Sequence, residues 1–562
     1  MFEFDHRIQG ELLPDDSAWL HEVERHISTE CFADALRQAG AHVKNSDPSK
    51  VAAASYAMAK VRYAQGEHGD AKANAEDALA KFRTLGDGRG EAIALHTLAQ
   101  INLEKRSDVD VALNQATEAL TQFQKAQSGR GEAGVMNTLA KIYYLKEDPN
   151  EALKQADLAQ QTFKGVDDEV GEAAALTTKA TLFLLTGNFS RASVSSKEAV
   201  SLCKRMKTPS ARLQEANALL VGSAAAIPGG RADEALGAAR EANKLCTELG
   251  GPCGKAKSLR ALAFCYLTVA EVGEAVNCVE TALPLVADRA PSPGTAVKSI
   301  SASVLSVGAL AYRQKLSSDS SAATKETAVR MARDALACYQ ELGDEKTAAL
   351  VRVDLAQTHA LCGNSSEALD EARKSQEAFE RLGEKSGEGI ATLTLSELQF
   401  NMGNVAEAVD LARKARGLLG DPKLTAADGA KEVDSVLRVM QSGSDQLKSS
   451  IRTWEALPRE TYKEGPEVGK DAAASMGKAT YSLLLSNSLK GLDRPEGLVF
   501  SAEGITNTGN LLGVNIPFLR TWAQPPGSAA APGAAPHAAP TPASRRAVVP
   551  TRQLLTATLE RL

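Results

Sequence analysis

The histidines are the first residues to consider for metal or acid–base chemistry, because a chain of 562 residues has only 8 of them. His21 and His26 flank the segment HEVERH, which is one residue longer than the zinc-binding motif H-E-x-x-H. Two ligands share one face of a helix when they lie three or four residues apart, and these two lie five apart. We therefore expect a solvated helix here and no metal site.

The 8 cysteines follow no metal-binding or redox pattern. None forms a C-x-x-C motif, and the spacing of the four from Cys246 to Cys278 fits no zinc knuckle. The chain starts with MFEFDHRIQGELLPDD, which lacks the basic and apolar regions of a secretory signal. Such cysteines are typical of reduced thiols that pack as small apolar side chains. The sequence therefore predicts a cytoplasmic protein.

Sequences that could hold a phosphate or a nucleophile are incomplete. The segment ELGGPCGKAKS has Leu249 where a phosphate-binding loop needs its first glycine, and Ala256 where it needs Ser or Thr. The segment LGDGRGEA follows no predicted strand, so it does not indicate a dinucleotide site. No G-x-S-x-G motif occurs. We expect no cofactor and no catalytic residues.

Composition excludes several classes of partner. The net charge is -6, and aromatic residues make up only 4% of the chain. This balance supplies neither the cations nor the stacking surface that nucleic acid binding requires. No run of about 18 apolar residues appears, so we expect no membrane-spanning helix.

An internal repeat predicts the elements that would position any site. Similar segments such as NEALKQADLAQ recur nine times, at successive steps of 41, 40, 40, 43, 40, 53, 40 and 40 residues. The alanines that align these segments are Ala71, Ala112, Ala152, Ala192, Ala235, Ala275, Ala328, Ala368 and Ala408.

Each repeat contains two apolar stripes with the period of an amphipathic helix. The third repeat shows both stripes most clearly, in Met136, Leu139, Ala140 and Tyr143, and then in Ala152, Ala156 and Ala159. Between them, Pro149 breaks the first helix and Asn150 can begin the second. In TGNFSRA, CGNSSEA and MGNVAEA, the Gly-Asn pair suits a left-handed helix end.

These stripes resemble the tetratricopeptide repeat in its version of about 40 residues, as found in kinesin light chains and in LGN-type and MalT-type arrays. The resemblance covers residues 50–420 and implies an all-α superhelical solenoid of about nine helix pairs with a concave groove. The tryptophan common at the first position of the repeat is missing. Insertions flank the first helix of the seventh repeat, at about residues 287–327.

The repeat boundaries and composition divide the chain into six segments. We expect a helical cap (1–49), the repeat array (50–420), closing helices (421–457), a Gly/Pro-containing extension of unknown fold (458–524), a disordered Pro/Ala-rich linker (525–551) and a short tail (552–562).

The resemblance also places candidate binding residues. In that family, the first helix of each repeat turns one face toward the groove. The groove candidates on that face are His96, Gln100, Asn137, Lys141, Tyr144, Lys257, Arg260 and Phe264. Cations beside aromatic rings suit a peptide with acidic and apolar side chains. Alternatively, these positions are solvated helix residues whose charges contribute little.

One ligand class can be excluded by the same mapping. Members that bind the tails of the chaperones Hsp70 and Hsp90 hold the terminal carboxylate with Lys and Asn. No asparagine occurs at the corresponding positions, which are Thr97, Thr138, Thr178, Ala261, Asp354 and Thr394. We therefore expect no clamp for Hsp70 or Hsp90 tails.

Three functions remain after these exclusions. The first is a non-enzymatic adaptor or scaffold that binds a protein or peptide in the groove. The second is a regulatory or sensor subunit whose array gates an activity in a partner or in the C-terminal extension. The third is an enzyme with its catalytic domain after residue 458. Its segment of about 65 residues is small for a catalytic domain.

Overall fold

The computed structural model describes residues 18–103, 108–228, 230–287, 295–402 and 404–419. The expectations for residues 421–562 lie outside this part of the chain. Twenty helices and the turns between them make up the described residues. In chain order they are α1 (Ala18–Ser28), α2 (Phe32–Gly40), α3 (Pro48–Gln65), α4 (His68–Leu85), α5 (Gly88–Leu103), α6 (Val109–Lys125), α7 (Gly129–Leu145), α8 (Pro149–Gly165), α9 (Glu169–Leu185), α10 (Phe189–Cys203), α11 (Pro209–Ala226), α12 (Ala232–Leu249), α13 (Pro252–Thr268), α14 (Val272–Ala287), α15 (Thr295–Lys315), α16 (Ala322–Glu341), α17 (Glu345–Cys362), α18 (Ser365–Leu382), α19 (Lys385–Asn401) and α20 (Val405–Leu419).

Helices α3 to α20 form nine consecutive pairs, which confirms the predicted all-α, tetratricopeptide-like solenoid. From α3 to α14 and from α16 to α20, each helix packs against the next helix in the chain, so that α8, for example, contacts both its own first helix α7 and the following first helix α9. All nine alanines that aligned the repeats lie in second helices and are 0% exposed. A small side chain at this position lets adjacent helices approach closely, so the repeat register is confirmed.

The turns within the pairs follow local rules for ending and starting helices. Gly187 has a φ of 75° and ends α9 in the left-handed conformation, as the Gly-Asn pattern predicts. In the third repeat the predicted start is wrong by two residues. Asp148, not Asn150, caps α8 by accepting a 3.0 Å hydrogen bond from the Glu151 amide. Pro149 follows as the first helical residue, where its missing N–H costs nothing.

A phenylalanine near the end of several second helices packs over a glycine eight residues later. A Cβ built on Gly171 would overlap the ring of Phe163. Phe82 with Gly90 and Phe379 with Gly387 repeat the arrangement. The glycine therefore gives the ring access to the backbone of the next helix, which fixes the spacing between successive pairs.

Ala152→Leu is expected to lower the free energy of unfolding by about 1–3 kcal/mol. Ala152 is 0% exposed and belongs to an apolar cluster with Ala140, Ala156 and Leu182, so a larger side chain must displace its neighbours. Urea unfolding followed by circular dichroism measures the loss. Ala73→Leu, at an exposed position of α4, is the matched control and should change stability by less than about 0.5 kcal/mol. Equal midpoints for the two variants would contradict the packing.

The chain divides into two compact units, one ending at Val307 and the other beginning at Gly308. They are called the N-terminal unit and the C-terminal unit below. None of the described helices carries an apolar stretch long enough to cross a membrane.

Candidate functional site

The first helices of successive pairs in the N-terminal unit form one surface, called the inner face below. Contacts run from α3 through α5, α7, α9 and α11 to α13. Every residue of α5 from Ala92 to Leu103 is buried, whereas α6 buries a stripe of four residues. A helix buried on all sides has partners on every face. At α5, the inner face is therefore enclosed and is not a solvated groove.

The two groove candidates on α5, His96 and Gln100, form a hydrogen-bonded cluster with Thr138 of α7. His96 and Gln100 are 3% and 5% exposed. His96 Nε2 lies 2.8 Å from Thr138 Oγ1 and 3.2 Å from Gln100 Nε2. These side chains thus connect neighbouring first helices within the enclosed face.

The candidates on α7 differ in their surroundings. Asn137 and Lys141 are both 0% exposed, whereas Tyr144 is partly buried in an apolar cluster near the end of the helix. Neither polar atom of the Asn137 amide finds a hydrogen-bond partner among the described residues. An amide offers two donors and one acceptor oxygen, which matches a peptide group. The Asn137 amide therefore has hydrogen-bonding capacity that no described residue uses.

The remaining candidates lie on α13. Lys257 and Arg260 are partly buried, and Phe264 is buried. Together with Cys253 in the first turn, they occur at i, i+4, i+7 and i+11, so all four lie on one helix face. This face places two cations and a ring along the helix that starts at Pro252.

Helices α1 and α2 with their turn, called the hairpin below, lie against the inner face. Helix α1 contacts α3, the first helix of the array, and α11, the first helix of the fifth pair. Its apolar stripe consists of Leu20, Val23 and Ile27, which are 7%, 2% and 1% exposed. These three belong to the same buried cluster as Ile93 of α5 and Ile142 of α7. The hairpin therefore contributes one side of the core beneath the inner face.

The turn of the hairpin binds the start of α13 through Glu30. The amides of Cys253 and Gly254 donate to the two carboxylate oxygens of Glu30 at 2.8 and 2.9 Å, and these bonds are buried. First-turn amides have no partner within their own helix, and the helix dipole favours a negative charge there. A Cβ on Gly251 would lie 2.9 Å from the Glu30 carboxyl carbon, so glycine makes room for the carboxylate.

An ion pair joins the middle of α1 to the array. Glu24 of α1 pairs with Lys60 of α3, and both side chains are mostly buried. Burial opposes the charge of Lys60, but Glu24 and then the neighbouring Tyr56 outweigh it and raise the pKa of the ammonium group. Lys60 therefore stays protonated beside the Glu24 carboxyl group.

A second polar cluster lies on the first helices of the C-terminal unit. Arg313 donates to Asp354 at 3.1 Å and to Gln357 at 2.6 Å, and the Asp354 side chain is 8% exposed. Glu397 lies nearby with an Oε1 atom that has no hydrogen bond among the described residues. Burial raises the pKa of Glu397 to about 7, although the charge of Arg313 lowers it. Glu397 therefore changes its charge near neutral pH.

The cysteines belong to no metal-binding group in the described part of the chain. No group of three His, Cys, Asp or Glu side chains lies close enough there to hold a metal ion. All eight cysteines are free thiols, and burial raises the pKa of Cys265 and of Cys278 to about 11. Such thiols remain protonated and unreactive at neutral pH.

Sequence reasoning missed two sets of charged contacts, one made by Glu30 and one by Arg313 with Asp354. No repeat contains Glu30, and its partners lie 223 and 224 residues away, so no periodic pattern marks it. Arg313 and Asp354 occur on equivalent helices 41 residues apart. Charges of opposite sign at one repeat spacing are a signal that could have found that pair.

Several solved helical structures are similar to this chain. BtubC from P. vanneervenii is 19% identical over 42% of this chain and 94% of its own, with a TM-score of 0.31. A signal transduction ATPase with a tetratricopeptide repeat sensor, from Pyrococcus horikoshii, is 13% identical over 72% of this chain and 55% of its own, with a TM-score of 0.44. Aspartyl phosphate phosphatase F from Bacillus subtilis is 11% identical over 73% and 96%, with a TM-score of 0.40. No protein-family model and no curated protein matches the chain.

Proposed function

We propose that this chain is a non-enzymatic adaptor whose inner face binds a peptide or helix with acidic and apolar side chains. One observation carries the proposal. The inner face already holds a helical segment of this kind, the hairpin, through the apolar stripe of α1 and the carboxylate of Glu30. A surface that binds such a segment within the chain has the chemistry to bind one from another protein.

Helix α13 is the part of the inner face that selects acidic ligands. Its first-turn amides bind a carboxylate, and Lys257 and Arg260 continue along the same face. Charge-assisted hydrogen bonds to a second acid can form there, and Phe264 supplies an apolar contact one turn further on. Asn137 of α7 adds an amide that can bond the ligand backbone.

The hairpin also favours the second candidate, a regulatory or sensor subunit. A surface that carries an internal ligand has an occupied and an open state, and a partner that shifts this balance can gate an activity elsewhere. The free, mostly buried thiols support a cytoplasmic setting for either function.

Reversing two charges on α13 tests the adaptor function. Peptides selected from a displayed library against the immobilised full-length chain supply defined ligands, which we expect to be rich in acidic and apolar residues. The double variant Lys257→Glu with Arg260→Glu should weaken their binding at least tenfold, or about 1.4 kcal/mol, because it replaces attraction by repulsion. Fluorescence anisotropy of labelled peptides measures the dissociation constant.

The control makes the same change in net charge away from the inner face. Lys125→Glu with Lys164→Glu alters exposed positions on second helices and should leave the dissociation constant within twofold. Circular dichroism must show unchanged helicity for both variants. Equal losses in the two variants would indicate general electrostatic attraction and contradict a site on α13.

A further inference from the structure

We infer that the hairpin is a displaceable internal ligand. Its site on the inner face accepts an amphipathic helix from a partner, provided that an acidic residue follows the apolar stripe of that helix. The inference rests on the proposed function and adds two things to it, the chemical class of the partner and the competition that controls access.

The acid-binding end of the site is formed by the start of α13. Two backbone amides bind both oxygens of the Glu30 carboxylate, and the helix dipole adds a favourable field. The carboxylate needs the space left by Gly251, whereas a Cβ built on Gly254 would lie 3.7 Å from Glu30 Oε1, at an ordinary contact distance. Amides held in this geometry discriminate a carboxylate from a neutral side chain, because only the charged group gains from the dipole.

The apolar part of the site determines how the apolar residues of a partner helix must be spaced. Leu20, Val23 and Ile27 lie at i, i+3 and i+7 of α1, and Glu30 follows three residues after the last of them. A competing segment must therefore present apolar residues at i, i+3 and i+7 of a helix and an acid three residues later, in the turn that ends that helix, where Glu30 has a φ of 56°. This pattern defines the partner by chemistry and not by the length of the helix.

The hairpin is short and is joined to the array by turns. Helix α1 has only eleven residues and exposes Ala18, His21 and Arg25 on its outer side. Residues 41–47 join the hairpin to α3 through turns, so the connection can bend without unfolding the array. Among the described residues, Glu24 and Glu30 make polar contacts that hold α1 and its turn to the array.

Competition within the chain lowers the apparent affinity for any partner at this site. If the site is open for only a fraction of the time, the observed dissociation constant rises by the inverse of that fraction. Weakening the hairpin should therefore strengthen binding of a partner helix. If the hairpin instead contributes contacts to the bound partner, weakening the hairpin should weaken the binding of the partner helix.

A labelled peptide of residues 18–43 serves as the probe, and the full-length chain serves as the receptor. The receptor variants are Glu30→Ala, and Glu30→Ala combined with Val23→Asp, which also removes the apolar anchor. We expect the probe to bind the double variant at least tenfold more tightly than the parent chain. A probe that itself carries Glu30→Ala should bind the double variant at least fivefold more weakly than the parent probe.

Glu147→Ala is the matched control, because Glu147 is also a glutamate with positive φ in a helix turn, at 62° against 56° for Glu30, but its side chain is exposed. It should leave probe binding unchanged. Hydrogen exchange of the segment that carries Cys253 and Gly254 reports on the hairpin without any partner. Glu30→Ala should speed that exchange at least tenfold, and Glu147→Ala should not. This measurement also serves if the double variant fails to fold.

Two further outcomes would overturn the inference. Equal probe binding by the parent and the double variant, including no binding by either, means that the hairpin does not compete. A parent chain that light scattering shows to be a dimer, and that Glu30→Ala converts to a monomer, means that a second copy supplies the hairpin. If library peptides bind through Lys257 and Arg260 with equal affinity to the parent chain and to the double variant, the hairpin does not compete with them. That result would support the adaptor function and contradict the competition.

Discussion

Phe163→Ala is expected to lower the free energy of unfolding by about 3–5 kcal/mol. The ring is 3% exposed, belongs to an apolar cluster with Ala133, Ala159 and Ala175, and covers Gly171 of the next helix. Its fully buried neighbours are alanines, and a glycine lies beneath it, so these residues cannot expand to fill the space that the ring leaves. Chemical denaturation measures the loss. In an array of neighbour contacts, the loss should be greatest in the α7–α10 region, which hydrogen exchange resolves.

Two glycine variants probe the same contact from the other side. Gly171→Ala puts a methyl group into the ring of Phe163 and should destabilise the protein by about 1–3 kcal/mol. A Cβ on Gly165, the last residue of α8, meets nothing within 4 Å. Gly165→Ala should therefore be neutral or stabilise by up to about 1 kcal/mol.

Leu158→Ala, on the exposed side of α8, is the control for the truncation of Phe163 to alanine. Similar losses for Leu158 and Phe163 would contradict the ring's role.

Glu397→Gln is expected to raise the free energy of unfolding by about 3 kcal/mol at pH 8, because it removes a charge that the folded chain must bury. The folded pKa of Glu397 is about 7, against 4.5 for the unconstrained group. Between these values the folded state binds more protons than the unfolded state. Stability of the parent chain should therefore fall as pH rises from 4.5 to 7. Urea unfolding at pH 5, 6, 7 and 8 measures the trend.

The pH profile separates this effect from a general change in charge. The parent and the Glu397→Gln variant should have similar stabilities near pH 4.5 and should diverge above it. Glu377→Gln, at an exposed position of α18, removes the same charge and should follow the parent at every pH. Parallel profiles for the parent and Glu397→Gln would mean that the carboxyl group titrates alike in both states.

The helix pairs could be predicted because every pair repeats the same local rules. A small residue at a fixed position, such as Ala152, must be buried for neighbouring helices to touch, and its recurrence reveals the period. Turn chemistry sets the boundaries to within a few residues. The start of α8 was misplaced because Asp148, Pro149 and Asn150 all favour a helix start, and their order decides which one caps the helix.

The surroundings of the candidate site could not be predicted in the same way. In a solenoid whose pairs contact only their neighbours, the inner face is open to water, and residues such as Asn137 and Lys141 are expected to be solvated. Both are 0% exposed in the structure. The repeat period marks which residues lie on the first helix, but it carries no information on what covers their side chains. The segment AIALHTLAQINL of α5 does carry one signal. It contains no charged residue, which is unusual for a helix with a solvated face.

The hydrogen bonds of Glu30 also change how the N-terminal unit folds and frays. An open stack of pairs melts from its ends, since each terminal pair has only one neighbour. Joining residue 30 to residues 253 and 254 closes a loop of contacts across the unit, so its first pair is held by a distant part of the chain as well as by α5. This contact between residues far apart in the sequence raises the contact order of the unit. It can form only after the helix pairs between them have folded, so we expect it to be a late and slow step of folding. Once formed, the contact couples the stability of the first pair to that of the sixth. Release of the hairpin removes this coupling, so the array then melts pair by pair from its ends, as an ordinary repeat protein does.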